Sequence, residues 1–285
     1  MPPFDFAKTT SLVTGASSGL GEQFARQLAA RGGDLVLVAR SADRLAALAN
    51  ELRARHRVTI TTWPADLSMA DEVSRIAAAT APTEVSVLVN NAGFGTYGAF
   101  AGLDPGREHN EVMVNAVAAV DLAHAVLPGM LARRCGGIIT VASSIAFQPS
   151  PQQAVYGATK AFALAFSEAL WAETRGSGVR ILALCPGPVA TGFFASLGDQ
   201  AATSSIIYRR TANPADIVKV GLRGFDRDAM TVIPGLRTRF LSQGYRFLPR
   251  TVMARMTGKM LAPSPGAHHD RPKYAATPPA PDART

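Results

Sequence analysis

Tyr156 and Lys160 stand four residues apart in the segment VYGATKAF, with only small residues between them. On a helix, positions i and i+4 share a face, so a lysine ammonium there lies one turn from the phenol and can act on it. A phenol ionises near pH ~10 and is a poor base at neutrality, but a neighbouring cation favours the phenolate and lowers that value. The same spacing also arises between ordinary residues of a helix, so the pair alone leaves both readings open.

A second chemical feature stands at the start of the chain. Gly15, Gly19 and Gly21, with Ser17, Ser18 and Leu20 between them, follow the apolar run SLVT and open a helical stretch. Such a turn lets backbone amides and a helix N-terminus approach a pyrophosphate. A plain tight turn is the alternative, but the place of the loop in the first βα unit points to a dinucleotide site. The second apolar run, DLVLVA, ends at Ala39, where an NAD-binding chain carries an acid for the ribose hydroxyls. Arg40 follows, and a guanidinium binds a 2′-phosphate that a carboxylate would repel. The expected cofactor is therefore NADP (NADPH) rather than NAD, with Ser41 as a second contact. An arginine merely solvated at a strand end stays open, because Arg44 and Arg53 lie nearby in sequence.

The elements that must position these residues alternate. Six runs, SLVT, DLVLVA, VTITTW, VSVLVN, GIITVA and VRILAL, are separated by stretches rich in Ala, Leu and Arg. Continuous apolar strands separated by helices imply a parallel sheet covered on both faces. The expected fold is α/β, a Rossmann-type doubly wound parallel sheet in a single domain. Residues 1–9 read as an N-terminal extension, 10–235 as the domain with a substrate lid near 191–212, 236–262 as a basic amphipathic segment and 263–285 as a disordered tail. The segment 108–133 carries two apolar stripes, one through Met113, Val117, Val120, Leu127 and Leu131, the other through Val112, Ala116, Ala119, Ala123, Val126 and Met130. A helix apolar on so much of its surface is covered on more than one side, here preferentially by a partner subunit.

The loop TGASSGLG, NNAG at 90–93, Asn115, VASS at 141–144, YGATK and CPGPVAT at 185–191 appear together and in this order. In this the chain resembles the short-chain dehydrogenase/reductase family across nearly all of residues 10–191, and most closely an NADP-preferring bacterial-type subgroup with hydroxysteroid and long-chain ketone reductases among its relatives. The resemblance implies NAD(P)-linked interconversion of a hydroxyl and a carbonyl. It makes Tyr156 the acid/base, and gives Lys160 a second task, a hydrogen bond to the nicotinamide ribose. It selects Ser143 over the adjacent Ser144 as the contact to the substrate oxygen, and Asn115 as the residue that bends the long helix and supports a water chain to the lysine. Asp66, followed by Leu67, matches the adenine contact, with helix capping as the alternative. Asn90, Asn91, Ala92 and Gly93 match the strand end beside the adenosine, and Pro186, Gly187, Val189 and Thr191 the segment beside the carboxamide.

Bulk properties narrow the function classes. The chain has 285 residues, 47% hydrophobic and 18% charged, which suits one large packed domain. Cys135 and Cys185 make no disulfide framework and no metal site, and His56, His109 and His124 have no nucleophile beside them in the sequence. No metal is expected. With no run of ~18 consecutive apolar residues and no basic-then-apolar start, a cytoplasmic protein is expected. The net charge of +8 gathers late: residues 229–269 contain no acid but carry Arg237, Arg239, Arg246, Arg250, Arg255 and Lys259. No recognition motif accompanies that charge, so nucleic acid is not an expected partner. Packing on a neighbouring subunit or over the site mouth is the preferred role of this stretch, with an anionic membrane surface as the lesser alternative. Phe193, Phe194, Leu197, Ile206 and Ile207 in the lid suit a hydrophobic ketone or acyl-type substrate. The expectation is an NADP(H)-dependent oxidoreductase, a homodimer or homotetramer acting on a small carbonyl or alcohol. An NAD-dependent alcohol or hydroxysteroid-like dehydrogenase and a non-catalytic cofactor-binding scaffold are the alternatives.

Overall fold

The central strands have no water-facing side: every residue of Gly136–Val141 and of Val179–Leu184 is buried. These are β5 and β6 of a computed structural model that describes residues 2–7, 9–193, 197, 211–244 and 248–262. With β1 (Thr10–Thr14), β2 (Asp34–Ala39), β3 (Ile60–Pro64) and β4 (Val87–Asn90) they match the six apolar runs. A seventh strand, β7 (Thr231–Val232), is two residues long and carries no run that would announce it. The sheet is parallel throughout, in the order β3-β2-β1-β4-β5-β6-β7. Chain travel reverses between β1 and β4, which opens a crevice at the carboxyl ends of those strands.

Alternate strand residues feed two cores, as a pleat of period two requires. Val13, Leu35, Leu37 and Val89 pack under α1 (Gly19–Ala30), α2 (Ala42–Arg55) and, further along the chain, α7 (Pro214–Asp226). Leu12, Val36, Leu88 and Ile138 pack under α3 (Ala70–Thr83) and α5 (Ala118–Arg133), with Phe166 and Leu170 of α6 (Ala154–Glu173) at the margin. Between α4 (Pro105–Val112) and α5 the helix widens into one π turn, Met113–Val117. By length and composition the continuous helix Pro105–Arg133 could cross a bilayer, at a mean hydropathy of 1.5, but its side chains Leu122, Ala123 and Met130 are committed to the sheet.

Of the two stripes read along this helix, the one from Val112 is buried at Ala116, Ala119, Ala123, Val126 and Met130, but Val112 itself, before the π turn, is exposed. The other is only partly covered, and Leu131 is exposed, as is Phe162 on α6, whose ring stacks on Phe166. The first residues dock on the domain: Phe4 packs edge-on against Phe6 and against Phe225 of α7, Phe6 lies tilted on Phe225, and the Arg180 guanidinium lies over the Phe4 ring. Two further helices, α8 (Leu236–Gly244) and α9 (Arg250–Leu261), fall in the basic segment. Phe194, Ile206 and Ile207 of the expected lid, and the tail 263–285, lie outside the described residues.

Candidate active site

At the end of β1 the backbone turns through Gly15 and Gly19, both with positive φ (66° and 58°), a conformation that side chains disfavour. Gly21 is required by contact: a Cβ there would stand 2.2 Å from the Gly15 carbonyl oxygen. The turn is fastened to the end of β4. Thr14 Oγ1 accepts from the Asn91 and Ala92 amides at 3.0 and 2.9 Å, and Asn91 Nδ2 donates to the Thr14 carbonyl at 2.8 Å. Helix α1 starts here with Ser18 as its N-cap, and the Ser18 side chain makes no capping bond. Its first amides are thus left without an internal acceptor at the edge of the crevice, the arrangement that receives an anion.

A cleft of about 1560 Å³ runs from this turn along the carboxyl ends of the strands. Gly15, Ser17, Ser18, Gly19 and Leu20 line one wall, Arg40, Asp66 and Leu67 the far end, and Asn91, Ala92 and Gly93 the stretch between that wall and Lys160. Ser143, Tyr156, Lys160, Pro186, Gly187, Val189 and Thr191 line the other end. Gly21 and Asn115 are absent from the lining: one lies beneath the turn, the other behind Lys160.

Ala39 is buried at the end of β2, and Arg40 emerges exposed beside the cleft. Arg44, one helical turn on, lines the same wall, as does Ser41. Ser41 is the N-cap of α2 and makes no side-chain capping bond, so a second helix start meets two guanidinium groups there. That set suits a phosphate monoester. Asp66 accepts from Ser68 N at 3.0 Å and Ser68 Oγ at 2.8 Å. Burial pushes its carboxyl up, but these two bonds and the Arg40 charge outweigh burial and hold it below the usual range.

At the other end, α6 brings Tyr156 and Lys160 onto one buried face. Lys160 Nζ lies 5.8 Å from the centre of the Tyr156 ring and donates to the Val141 carbonyl at 2.8 Å. Burial pulls the ammonium down to about 8, with Glu111 and Cys185 opposing. Ser143 leaves the end of β5 and accepts at Oγ from the Ile145 amide at 3.3 Å, which leaves its hydroxyl proton to donate. Asn115 sits in the π turn. Its Oδ1 accepts from the Phe94 amide at 3.1 Å, and its Nδ2 donates to the Phe94 carbonyl at 2.9 Å and to Thr159 Oγ1 at 3.1 Å. Gly93 is where Asn115 and Lys160 meet, since a Cβ on it would lie 2.9 Å from Asn115 Oδ1 and 3.4 Å from Lys160 Nζ. Burial pushes the Cys185 thiol up to about 12, so this neighbour of Lys160 is no thiolate nucleophile.

The mouth beyond Tyr156 is apolar. The Phe193 ring lies 5.2 Å from that of Tyr156, and Phe193 packs with buried Tyr97 and Leu197. The Tyr97 hydroxyl donates to the carbonyl of Leu261, the last residue of α9, which itself lines the cleft. Tyr97, Gln148 and Leu261 were not among the residues the sequence marked. Tyr97 and Leu261 meet across 164 residues, and no local pattern announces such a contact.

A family model described as short chain dehydrogenase matches residues 9–202. The very-long-chain 3-oxoacyl-CoA reductase of Bos taurus is 34% identical over 185 residues, covering 64% of this chain and 59% of that protein. The inactive hydroxysteroid dehydrogenase-like protein 1 of Homo sapiens is 35% identical over 188 residues, 65% of this chain and 57% of that one. The chain thus matches less than two thirds of the length of either relative. Among solved structures, a short-chain dehydrogenase from Sphingobium yanoikuyae in complex with NADPH superposes with a TM-score of 0.76 at 31% identity, covering 92% of this chain and 99% of that one.

Proposed function

We propose, for a chain that belongs to the short-chain dehydrogenase family, an NADP(H)-dependent oxidoreductase that interconverts a secondary alcohol and a carbonyl on a hydrophobic substrate. The observation that carries this reading is one continuous cleft with an open helix start and a glycine turn at one end and Tyr156 above buried Lys160 at the other. NADPH bound to the Sphingobium protein supports the cofactor class, and Arg40, Arg44 and Ser41 support its phosphorylated form. The apolar mouth formed by Phe193, Tyr97 and Leu197 supports a ketone or acyl-type substrate, as does the reductase from Bos taurus.

The residues present fit the dinucleotide: the glycine turn leaves room where a Cβ would collide, and the α1 amides face a pyrophosphate. When bound, the nicotinamide supplies or accepts the hydride. The chain's own residues handle the proton and the oxygen. Ser143 donates its hydroxyl proton to the substrate oxygen and so fixes it beside Tyr156. The Tyr156 hydroxyl gives its proton to that oxygen in reduction, and the phenolate takes the proton from the alcohol in oxidation. Lys160, held at Val141, places a positive charge against the phenol ring and stabilises the phenolate that proton transfer leaves. Asn115 holds the Phe94 backbone and Thr159, and so fixes the distance between the loop after β4 and the helix that carries the pair.

The test is consumption of NADPH with a panel of hydrophobic ketones and 3-oxoacyl thioesters. No turnover across that panel, with NADPH binding intact, would favour a cofactor-binding scaffold, the role that an inactive relative keeps open. The partly covered faces of α5 and α6, with Leu131 and Phe162 exposed, support association into a homodimer or homotetramer. Sedimentation velocity of the purified protein tests that.

A further inference from the structure

Lys160 is a buried cation at the inner wall of the cleft, and the bond to Val141 gives it a carbonyl but no counter-charge. An isolated buried ammonium is costly and tends to lose its proton. One helical turn before Asn115 stands Glu111, which is 0% exposed. Its Oε2 accepts from Thr96 Oγ1 at 2.9 Å, while Oε1 has no hydrogen-bond partner among the described residues. Its helix packs against α6, the helix of Lys160, and Thr96 belongs to the same loop as Gly93 and Phe94, which touch Lys160 and Asn115. A fully buried carboxylate that, among the described residues, meets only Thr96, through its hydroxyl and backbone, and leaves one oxygen orphaned is a poor structural element.

We propose that Glu111 is the counter-charge of Lys160, a positioning residue that keeps the buried ammonium protonated at the pH of catalysis. Among the described residues, the groups that face Glu111 are Glu108 one turn back on its own helix, Thr96 from the loop after β4, and Lys160 from α6. Those that reach Lys160 are Glu111 and Cys185. Burial pushes Glu111 up to about 7; the Thr96 hydroxyl opposes this and the Glu108 carboxyl adds to it. Glu111 thus gains its charge around neutrality, as pH approaches the range in which Lys160 loses its proton. Glu108 is also buried, with neither oxygen bonded among the described residues, but it acts on Glu111 and not on Lys160.

The inference rests on the reading of Lys160 as part of the catalytic pair, so its test reads the lysine directly. The chain has five lysines, Lys8, Lys160, Lys219, Lys259 and Lys273, few enough for the Cε signals of 13C-lysine-labelled protein to be followed against pH. The Lys160 signal is identified by its loss in Lys160→Arg. In Glu111→Gln, which keeps the shape and removes the charge, the Lys160 midpoint should fall by roughly one pH unit. Thr96→Val removes the bond that favours the charged carboxylate and should move the midpoint the same way by less, which keeps the test alive if Glu111→Gln does not fold. Glu108→Gln should not lower it. A midpoint unmoved in Glu111→Gln overturns the proposal, as does an equal fall in Glu108→Gln. If the midpoint falls while the alkaline limb of kcat/KM with NADPH and a hydrophobic ketone stays in place, the counter-charge stands and the catalytic reading of Lys160 fails instead.

Discussion

Asn115 Nδ2 donates to Thr159 Oγ1 at 3.1 Å, and Thr159 is the residue before Lys160, so the π turn of the long helix is tied directly to the helix that carries Tyr156 and Lys160. A regular α-turn would rotate the residues that follow by a fraction of a turn; the one-residue widening is what lets Asn115 face inward while α5 still buries Ala119, Ala123 and Met130. Thr159 Oγ1 also donates to the Tyr156 carbonyl at 2.9 Å, which joins Asn115 to both members of the pair.

Asn115→Ala should therefore do two things at once. It removes three hydrogen bonds and leaves the Phe94 amide and carbonyl unpaired, at a cost of about 1–3 kcal/mol in urea unfolding. It should also lower kcat more than it raises KM, because the bond lost positions the catalytic helix and not the substrate. Loss of stability with kcat unchanged would reduce Asn115 to a structural asparagine.

Tyr156→Phe removes only the phenolic oxygen from a buried ring that still packs against Phe193. NADPH binding, followed by quenching of protein fluorescence, should persist, while kcat falls by ~10²–10⁴. Lys160→Ala should damage both, since its side chain lines the cleft as well as facing the ring. Retention of a tenth of the activity in Tyr156→Phe would move the acid/base elsewhere.

The pH profile follows from the buried lysine. Burial lowers Lys160 from 10.5 to about 8, and the ammonium is the form that stabilises the phenolate. Activity is thus fully supported below that value and lost as pH rises through it, so kcat/KM for ketone reduction should bend downward near pH 8. A plateau continuing to pH 10 would show that the charge on Lys160 is not required.

Much of this arrangement was legible in the sequence, for reasons that can be stated residue by residue. The strands were visible because β1, β2 and β4 to β6 are buried on both faces and so form continuous apolar runs. The glycine turn was visible because Gly15 and Gly21 answer to local geometry, and the Tyr156–Lys160 pair because helical spacing is regular. What could not be read depends on contacts distant in sequence. The hydrogen bond from Tyr97 to Leu261 brings α9 to the cleft, and the docking of Phe4 and Phe6 on Phe225 crosses most of the chain. The burial of Glu111 was hidden for a related reason: a glutamate in an amphipathic pattern reads as solvent-facing until the loop that covers it is placed.

Helix α9 has three adjacent rows. Met253, Thr257 and Leu261 are buried against the domain, with Thr257 Oγ1 donating to the Pro149 carbonyl at 2.8 Å, while Val252, Met256 and Met260 form an exposed apolar row beside Arg255 and Lys259. The inner row serves the site, because Leu261 lines it. For the outer rows, flotation with vesicles of phosphatidylcholine and phosphatidylserine is the discriminating measurement. No retention at either salt concentration is expected, because packing on a neighbouring subunit is the preferred role of this face; retention at low salt alone would show an electrostatic contact without insertion. Retention at both would make this face a membrane anchor.

The cofactor prediction rests on Ala39 and Arg40. A carboxylate at the end of β2 would bind the ribose diol of NADH and repel a 2′-phosphate, but Ala39 is buried and neutral there, and Arg40 with Arg44 stands over an uncapped helix start. A charge-assisted hydrogen bond contributes ~1.5–3 kcal/mol, and ~1.4 kcal/mol is a factor of ten, so Arg40→Ala should lower the preference for NADPH about ten- to a hundredfold. NADH offers nothing at that place and should be used as before. The double change Ala39→Asp with Arg40→Ala should go further, toward NADH. The comparison is kcat/KM for both cofactors with one ketone at fixed ionic strength, because exposed guanidinium contacts are screened by salt. Both residues lie far along the cleft from Tyr156, so a loss with NADPH alone identifies phosphate recognition, and an equal loss with both cofactors would leave Arg40 a solvated strand-end arginine and return NAD as the cofactor.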